Sequence, residues 1–177
     1  MRPAPGRNEE GFGLVELLIA LTVLAVGVLG VASAFISGMV TLRRAGQVST
    51  ATALADRQLE RYRALQYCAI YLDPATVPAI GSQYRAGFTG TLVQSTTADC
   101  SVAPTEATDA QQDLSGTATP DGRPYRVDTY IVEEKQVSVP AIDSRAVKNV
   151  TVVVRDGQNL AKALVRQNST FDASLGK

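Results

Sequence analysis

The chain has 177 residues, in which 17 lysines and arginines balance 17 aspartates and glutamates and 45% of the residues are hydrophobic. The zero net charge argues against a nucleic-acid partner, and the absence of histidine excludes histidine-ligated metals and imidazole-based nucleophile pairs. Two cysteines are too few for a structural zinc site, and no glycine-rich phosphate loop is present. Carboxylate-only chemistry is not excluded by composition, but the sequence places no carboxylate pair in a common pocket, so we assign no catalytic residue, metal or cofactor.

The first two elements in chain order are a polar leader and a long apolar run. Residues 1–11 are polar and charged and predict no regular structure. Residues 17–42 carry no charge, and as an α-helix this run would span ~39 Å, more than the ~30 Å hydrocarbon core of a bilayer. The sequence therefore predicts a hydrophobic, membrane-spanning helix over residues 12–42.

The helical pattern does not stop at the end of the apolar run. After Arg43 and Arg44, small and apolar residues recur at three- and four-residue spacing. No proline lies between residues 6 and 73, so nothing in this stretch forces the helix to break. We predict an amphipathic continuation of the same helix over residues 43–67.

A change of composition marks the start of a different region. Residues 68–124 are rich in Thr, Ser, Ala, Gly and Pro, and they hold six acids against two arginines. Such a density of turn-forming residues is typical of loops. We predict a variable loop region of a head domain here, with short strand-like pieces such as residues 91–93.

The last region, residues 125–177, has the pattern of an antiparallel β-sheet. Two stretches, 125–132 and 147–154, are rich in β-branched and aromatic residues, and a turn is predicted at Asp156 and Gly157. The apolar face of such a sheet must be covered. The predicted fold class is therefore α+β: a long N-terminal helix whose hydrophobic half protrudes and whose amphipathic half packs on the sheet.

One residue does not fit a plain membrane anchor. Glu16 lies within an apolar stretch that begins at Phe12, and a carboxylate in such surroundings is costly unless it is paired or reaches water. A simple interpretation is that Glu16 marks the interfacial end of the helix, where its side chain extends to water. The residues around Glu16 favour a second interpretation.

Residues 11–21 read GFGLVELLIAL, and this string resembles the N-terminal signature of type IV prepilins and pseudopilins, with Gly13 in place of the usual Thr or Ser. The resemblance implies that a membrane-embedded prepilin peptidase cleaves between Gly11 and Phe12 and methylates the new amine of Phe12. The mature chain would be residues 12–177. The resemblance also implies a pilin-like fold.

The resemblance assigns Glu16 to filament assembly, and a physical argument agrees. Cleavage creates a positive amine on Phe12, and Glu16 can pair with that amine in an adjacent subunit when the helices stagger in an apolar bundle. The attraction roughly cancels the desolvation cost, so the main effect of the pair would be to set the register between subunits.

Further segments extend the resemblance toward the head. Residues 23–30 resemble a run common in minor pilins of the PilV kind, and residues 53–65 resemble the segment where pilin-like helices enter the head domain. Glu60 and Arg63 in that segment are spaced for an i,i+3 ion pair. The resemblance therefore implies a minor type IV pilin, or a pilin-like pseudopilin, of a pilus, competence or type II secretion filament.

The implied location and partners follow from the family. The leader would lie in the cytoplasm, with the head outside a single-pass cytoplasmic membrane helix, and the subunit would end in an extracellular or periplasmic filament. The implied partners are the prepilin peptidase, other pilin subunits, the inner-membrane assembly platform and, before assembly, the lipid bilayer.

Two other interpretations of the apolar run stay open. Residues 31–34 end in an A-x-A pattern typical of a secretory signal peptide, although the run is longer than the usual apolar region of such a peptide. The helix can also serve as an ordinary single-pass anchor. In that case the chain is a membrane-anchored extracytoplasmic binding or adhesion module that is not incorporated into a filament.

Cys68 and Cys100 enclose 31 residues of the loop region. In an extracytoplasmic head we predict that they form a disulfide, which would contribute about 3 kcal/mol by chain entropy; the alternative is two free buried thiols. Four acids of the same region are candidate calcium ligands: Asp99, Glu106, Asp109 and Asp113. Their spacing does not match an EF-hand loop, so we predict a solvated loop and no metal site.

Overall fold

The computed structural model describes residues 13–77, 91–95, 109–135 and 146–173. Its elements are helix α1 (Leu14–Arg63) and strands β1 (Gln111–Leu114), β2 (Tyr125–Lys135), β3 (Ala146–Asp156) and β4 (Asn159–Asp172), with single 3₁₀ turns at Tyr67–Ala69 and Gly116–Ala118. One long helix followed by a four-stranded antiparallel sheet confirms the predicted α+β, pilin-like layout. The chain divides into two compact units, Met1–Arg44 and Ala45–Lys177.

In the first unit, α1 begins immediately after a glycine. The carbonyl oxygen of Gly13 accepts hydrogen bonds from the backbone N–H groups of Glu16 (2.9 Å) and Leu17 (3.2 Å). The bond from Leu17 is the first i→i−4 bond of the helix, and the bond from Glu16 pairs one of the donors that a helix start otherwise leaves without a partner. Glu16 therefore lies in the first turn of the helix, where a carboxylate interacts favourably with the helix dipole.

In the second unit, the last turns of α1 are amphipathic, as predicted. Its buried residues recur at spacings of one, three or four: Ala51, Leu54, Ala55, Gln58, Leu59 and Tyr62. The apolar members of this face belong to one core cluster with sheet residues such as Val127, Ile131 and Val152. The helix ends at Arg63 rather than at residue 67, and a 3₁₀ turn follows at Tyr67–Ala69.

The sheet is an antiparallel meander with strand order β1-β2-β3-β4. Strands β2 and β3 are paired over their full length, from Tyr125 opposite Asp156 to Lys135 opposite Ala146. Strands β3 and β4 are joined by the turn predicted at Asp156 and Gly157. A side chain at Gly157 would lie within 2.7 Å of Pro124, so the close approach of the chain at this turn requires glycine.

Strand β1 lies inside the region for which the sequence predicts loops, so the sheet begins before residue 125. The β1 sequence, Gln-Gln-Asp-Leu, lacks the β-branched and aromatic residues that mark strands. Its pairing with β2, from Gln111 opposite Asp128 to Leu114 opposite Tyr125, makes it a strand. The predicted piece at residues 91–93 forms an isolated bridge rather than a strand, between Leu92 and Val132.

Both faces of the central strands are buried. Successive side chains of a strand point to opposite faces, and consecutive residues of β2, such as Tyr130 and Ile131, are each fully buried. Ile131 belongs to the face that packs on α1, together with the cross-strand residue Val150. Side chains on both faces of β2 and β3 are therefore removed from water, and the charged ones among them need hydrogen-bonding partners.

Candidate functional site: the N-terminal apolar helix

Helix α1 has no polar face between residues 14 and 42. Every large apolar side chain in this stretch is exposed, from 44% at Val40 to 78% at Leu14. A helix that is apolar on all sides is stable only when it is surrounded by apolar material, either protein or lipid. The helix is long and apolar enough to cross a bilayer.

The hydroxyl groups of this stretch are compatible with an apolar environment. Three of them donate hydrogen bonds to carbonyl oxygens of the preceding turn: Thr22 to Ile19 (2.8 Å), Ser33 to Gly30 (2.8 Å) and Thr41 to Ser37 (3.0 Å). A hydroxyl that bonds within its own helix does not need water. These residues therefore do not oppose burial of the helix in lipid or in a helix bundle.

Glu16 is the only charged residue between residues 14 and 42. Its side chain is exposed, and within the parts of the chain that the structure describes no hydrogen bond or ion pair engages its carboxylate. A carboxylate without a partner on an otherwise apolar helix requires water or an external cation. Gly11 and Phe12, the predicted cleavage and methylation residues, lie outside the described residues.

Of the predicted site residues in the head, the structure describes Cys68 but not Cys100. Cys68 is disulfide-bonded, and its pairing with Cys100 stays a prediction because Cys100 lies outside the described residues. Among the residues that the structure describes, no group of three or more acids or cysteines is arranged to hold a metal ion. Two of the four candidate calcium ligands, Asp99 and Glu106, are likewise not described.

The predicted ion pair at the end of α1 is confirmed. The guanidinium of Arg63 donates to the carboxylate of Glu60 at i,i+3 spacing. Both side chains are more than half exposed, at 54% for Arg63 and 65% for Glu60. An ion pair this exposed to water contributes at most about 1 kcal/mol to stability.

Sequence reasoning missed a buried lysine that connects the segment after α1 to the sheet. The ammonium of Lys148 donates hydrogen bonds to the carbonyl oxygens of Tyr67 and Ile70, each at 2.9 Å, and lies 4.5 Å from the centroid of the Tyr67 ring. Burial lowers the pKa of Lys148, while the charge of Glu133 opposes that shift. The sequence contains a signal for this burial, because Lys148 alternates with Val150 and Val152 along the strand and therefore lies on the same buried face.

A second buried polar cluster lies on the opposite face of the sheet. The two carboxylate oxygens of Asp128 accept hydrogen bonds from the Nε atoms of Arg126 (2.8 Å) and Arg155 (2.7 Å). Asp128 is fully buried, and the arginine side chains are only 8% and 10% exposed. The Asp128–Arg155 pair joins β2 to β3, and the Arg126–Asp128 pair lies within β2.

The comparisons with known proteins address the N-terminal segment only. A family model described as "Prokaryotic N-terminal methylation motif" matches residues 6–32. No curated protein and no solved structure matches the chain. The match includes Gly11, Phe12 and Glu16 and supports a type IV pilin-like protein. It ends before the head, so the minor-pilin subtype stays a prediction.

Proposed function

We propose that the chain is a minor type IV pilin, or a pilin-like pseudopilin, that assembles into a pilus, competence or secretion filament through its N-terminal helix. The observation that carries the proposal is the methylation motif at residues 6–32, which coincides with the start of an all-round apolar helix. The role is structural, and it requires no catalytic residue.

Cleavage of the leader is the first step of the proposed function. The prepilin peptidase removes residues 1–11, together with the four charged side chains of that leader, and methylates the amine of Phe12. Helix α1, which begins at Leu14, then starts two residues after the new N-terminus. The only charges left near this end of the apolar helix are the Phe12 amine and the Glu16 carboxylate.

Assembly moves the apolar stretch of α1 from one apolar environment to another. In the bilayer its exposed side chains contact lipid, and in a filament they contact the helices of neighbouring subunits. Because both environments are apolar, the transfer involves little hydrophobic cost. The assembly platform and the other pilin subunits are the partners in this step.

Glu16 sets the register in the proposal. It lies four residues after Phe12, which is about 6 Å along a helix with a 1.5 Å rise. Glu16 of one subunit meets the Phe12 amine of a neighbour only when the two helices are displaced by that distance. A slip of one turn separates both charges in an apolar bundle, which costs several kcal/mol.

Mass spectrometry of the mature protein tests the processing step. The chain is expressed with and without an active prepilin peptidase and is purified from membranes. The proposal expects N-methyl-Phe12 as the first residue when the peptidase is active and Met1 when it is not. A start at Phe35 would instead identify a signal peptide, and an intact Met1 with active peptidase would identify a plain anchor.

Replacing Glu16 by alanine tests the register role. We expect Glu16→Ala to leave membrane insertion and cleavage intact and to reduce the amount of subunit in sheared filaments, because the Phe12 amine then loses its partner. Glu60→Ala is the matched control, since Glu60 is an exposed acid of the same helix. Incorporation of Glu16→Ala at the level of the control would refute the register role.

A further inference from the structure

A cavity of about 530 Å³ lies in the unit Ala45–Lys177, between the amphipathic face of α1 and the start of the sheet. Helix and strand residues line it: Leu54, Arg57, Gln58, Arg61, Gln112 and Leu114. The volume falls within the range of ligand-binding clefts. None of these described lining residues comes from the apolar stretch 14–42 of α1 or from the methylation motif.

The lining combines three kinds of chemistry. Leu54 and Val127, which are 7% and 2% exposed, supply an apolar floor, and the amides of Gln58 and Gln112 supply hydrogen-bond donors and acceptors. Two arginines add positive charge. Among the described residues that line the cavity there is no aspartate or glutamate.

Arg57 differs from Arg61 and Arg63, the other two arginines in the last turns of α1. In the described parts of the chain, no hydrogen bond or ion pair engages its guanidinium, whereas Arg63 is paired with Glu60. Arg61 makes an interaction of its own, and nothing that follows depends on it. Arg57 therefore presents a guanidinium whose planar donors match a carboxylate.

The shape of the cavity fits a short extended peptide. Its helix residues run from Leu54 to Arg61, which is about 10 Å along α1 and equals about three residues of extended chain. On the other side lies β1, the outermost strand on that side of the described sheet, and the edge of a sheet is where extended peptides add.

We infer that this cavity, the Arg57 groove, binds an extended segment of a partner protein that carries a carboxylate beside an aliphatic side chain. The carboxylate pairs with Arg57, the aliphatic side chain packs on Leu54 and Val127, and the amide of Gln112 bonds to the peptide backbone. Charge complementarity selects this partner, because Arg57 supplies a positive charge and no aspartate or glutamate is among the described residues that line the groove.

The test uses the full chain in detergent micelles and a fluorescent peptide that alternates glutamate and valine. We expect saturable binding by fluorescence anisotropy, and no binding of the matched peptide in which glutamine replaces glutamate. Arg57→Gln should weaken binding at least about tenfold, as expected for the loss of a charge-assisted hydrogen bond. Arg57 is exposed, so the variant should fold, and the circular dichroism spectrum checks this.

Matched controls decide the outcome. Arg63→Gln removes an exposed arginine of the same helix that does not line the groove, and we expect its affinity to stay within about twofold of the parent. Equal binding of the two peptides, equal loss in Arg63→Gln, or no binding of either peptide would overturn the inference. Self-association that depends on Arg57 in place of peptide binding would also overturn it, since the occupant would then be a second copy.

Discussion

Replacing Asp128 by asparagine tests how the buried cluster of Asp128, Arg126 and Arg155, on the face of the sheet opposite α1, contributes to stability. Asp128 is fully buried between Arg126 and Arg155, and each of its carboxylate oxygens accepts one guanidinium N–H, at 2.8 and 2.7 Å. The substitution Asp128→Asn keeps the shape of the side chain but removes the negative charge. Two buried guanidinium groups would then lose their shared carboxylate.

The expected magnitude follows from these contacts. A hydrogen bond to a charged group contributes about 1.5–3 kcal/mol, and removing one member of a buried ion pair costs about 3–5 kcal/mol. We therefore expect Asp128→Asn to lower the free energy of unfolding of the head by about 4 kcal/mol. Such a loss is a large part of the total stability of a typical domain, which is about 5–15 kcal/mol.

Urea denaturation of the full chain in detergent, followed by circular dichroism, measures this loss. With a slope of about 2 kcal/mol per molar urea, the midpoint should fall by about 2 M. Glu60→Gln is the control, because it breaks an ion pair that is more than half exposed and should cost less than about 0.5 kcal/mol. If Asp128→Asn costs no more than this control, the cluster does not stabilise the sheet and the reasoning is wrong.

Two further predictions concern the sheet turn and the pH dependence of stability. Gly157→Ala would place a Cβ atom 2.7 Å from Pro124 and should lower the free energy of unfolding by about 1–3 kcal/mol. The control Gly46→Ala, in a helix with open space around the glycine, should raise the free energy of unfolding by up to about 1 kcal/mol. Equal urea midpoints of the two variants would contradict the prediction. Burial and the hydrogen bond to Asp121 raise the pKa of Tyr125 to about 12, while an unfolded tyrosine titrates near pH 10. As the pH rises, the unfolded state therefore loses the Tyr125 proton first, so the free energy of unfolding should fall between pH 10 and 12. Urea midpoints measured across this pH range should fall less steeply for Tyr125→Phe than for the parent. An equally steep fall in the variant would contradict the role given to Tyr125.

Several features of the fold were predictable because their signals are local. The apolar run before Arg43, the absence of proline up to residue 73 and the three- and four-residue spacing after Arg44 all predict one helix, and α1 is one helix. The valine-rich stretch at 147–154 predicts a strand in the same way, and it lies within β3.

Strand β1 was not predictable, for a physical reason. Its four residues have no strand pattern of their own, and they are extended because β2 supplies the pairing partner. The partner segment begins eleven residues later in the chain, at Tyr125. A propensity pattern cannot report such a non-local contact, because the context of a strand outweighs its intrinsic preference.

The candidate sites also differ in whether the sequence alone reveals them. Glu16 stands out in the sequence because it interrupts an apolar run, and a charge in such a run is recognisable without coordinates. The Arg57 groove is not recognisable in this way. Arg57 resembles any solvent-exposed helix arginine until the structure places Gln112 and Leu114 of β1 opposite it.

The sequence by itself determined the long helix, its apolar segment with a single carboxylate, the methylation motif and the central strands of the head. These properties depend on residues that are close in the chain, so composition and periodicity record them. The tertiary structure alone decided which charged side chains are buried and how they are paired. Lys148 and Asp128 lie on opposite faces of the same sheet. Each is stable there only because strand register and the segment that follows α1 bring its partners within hydrogen-bond distance.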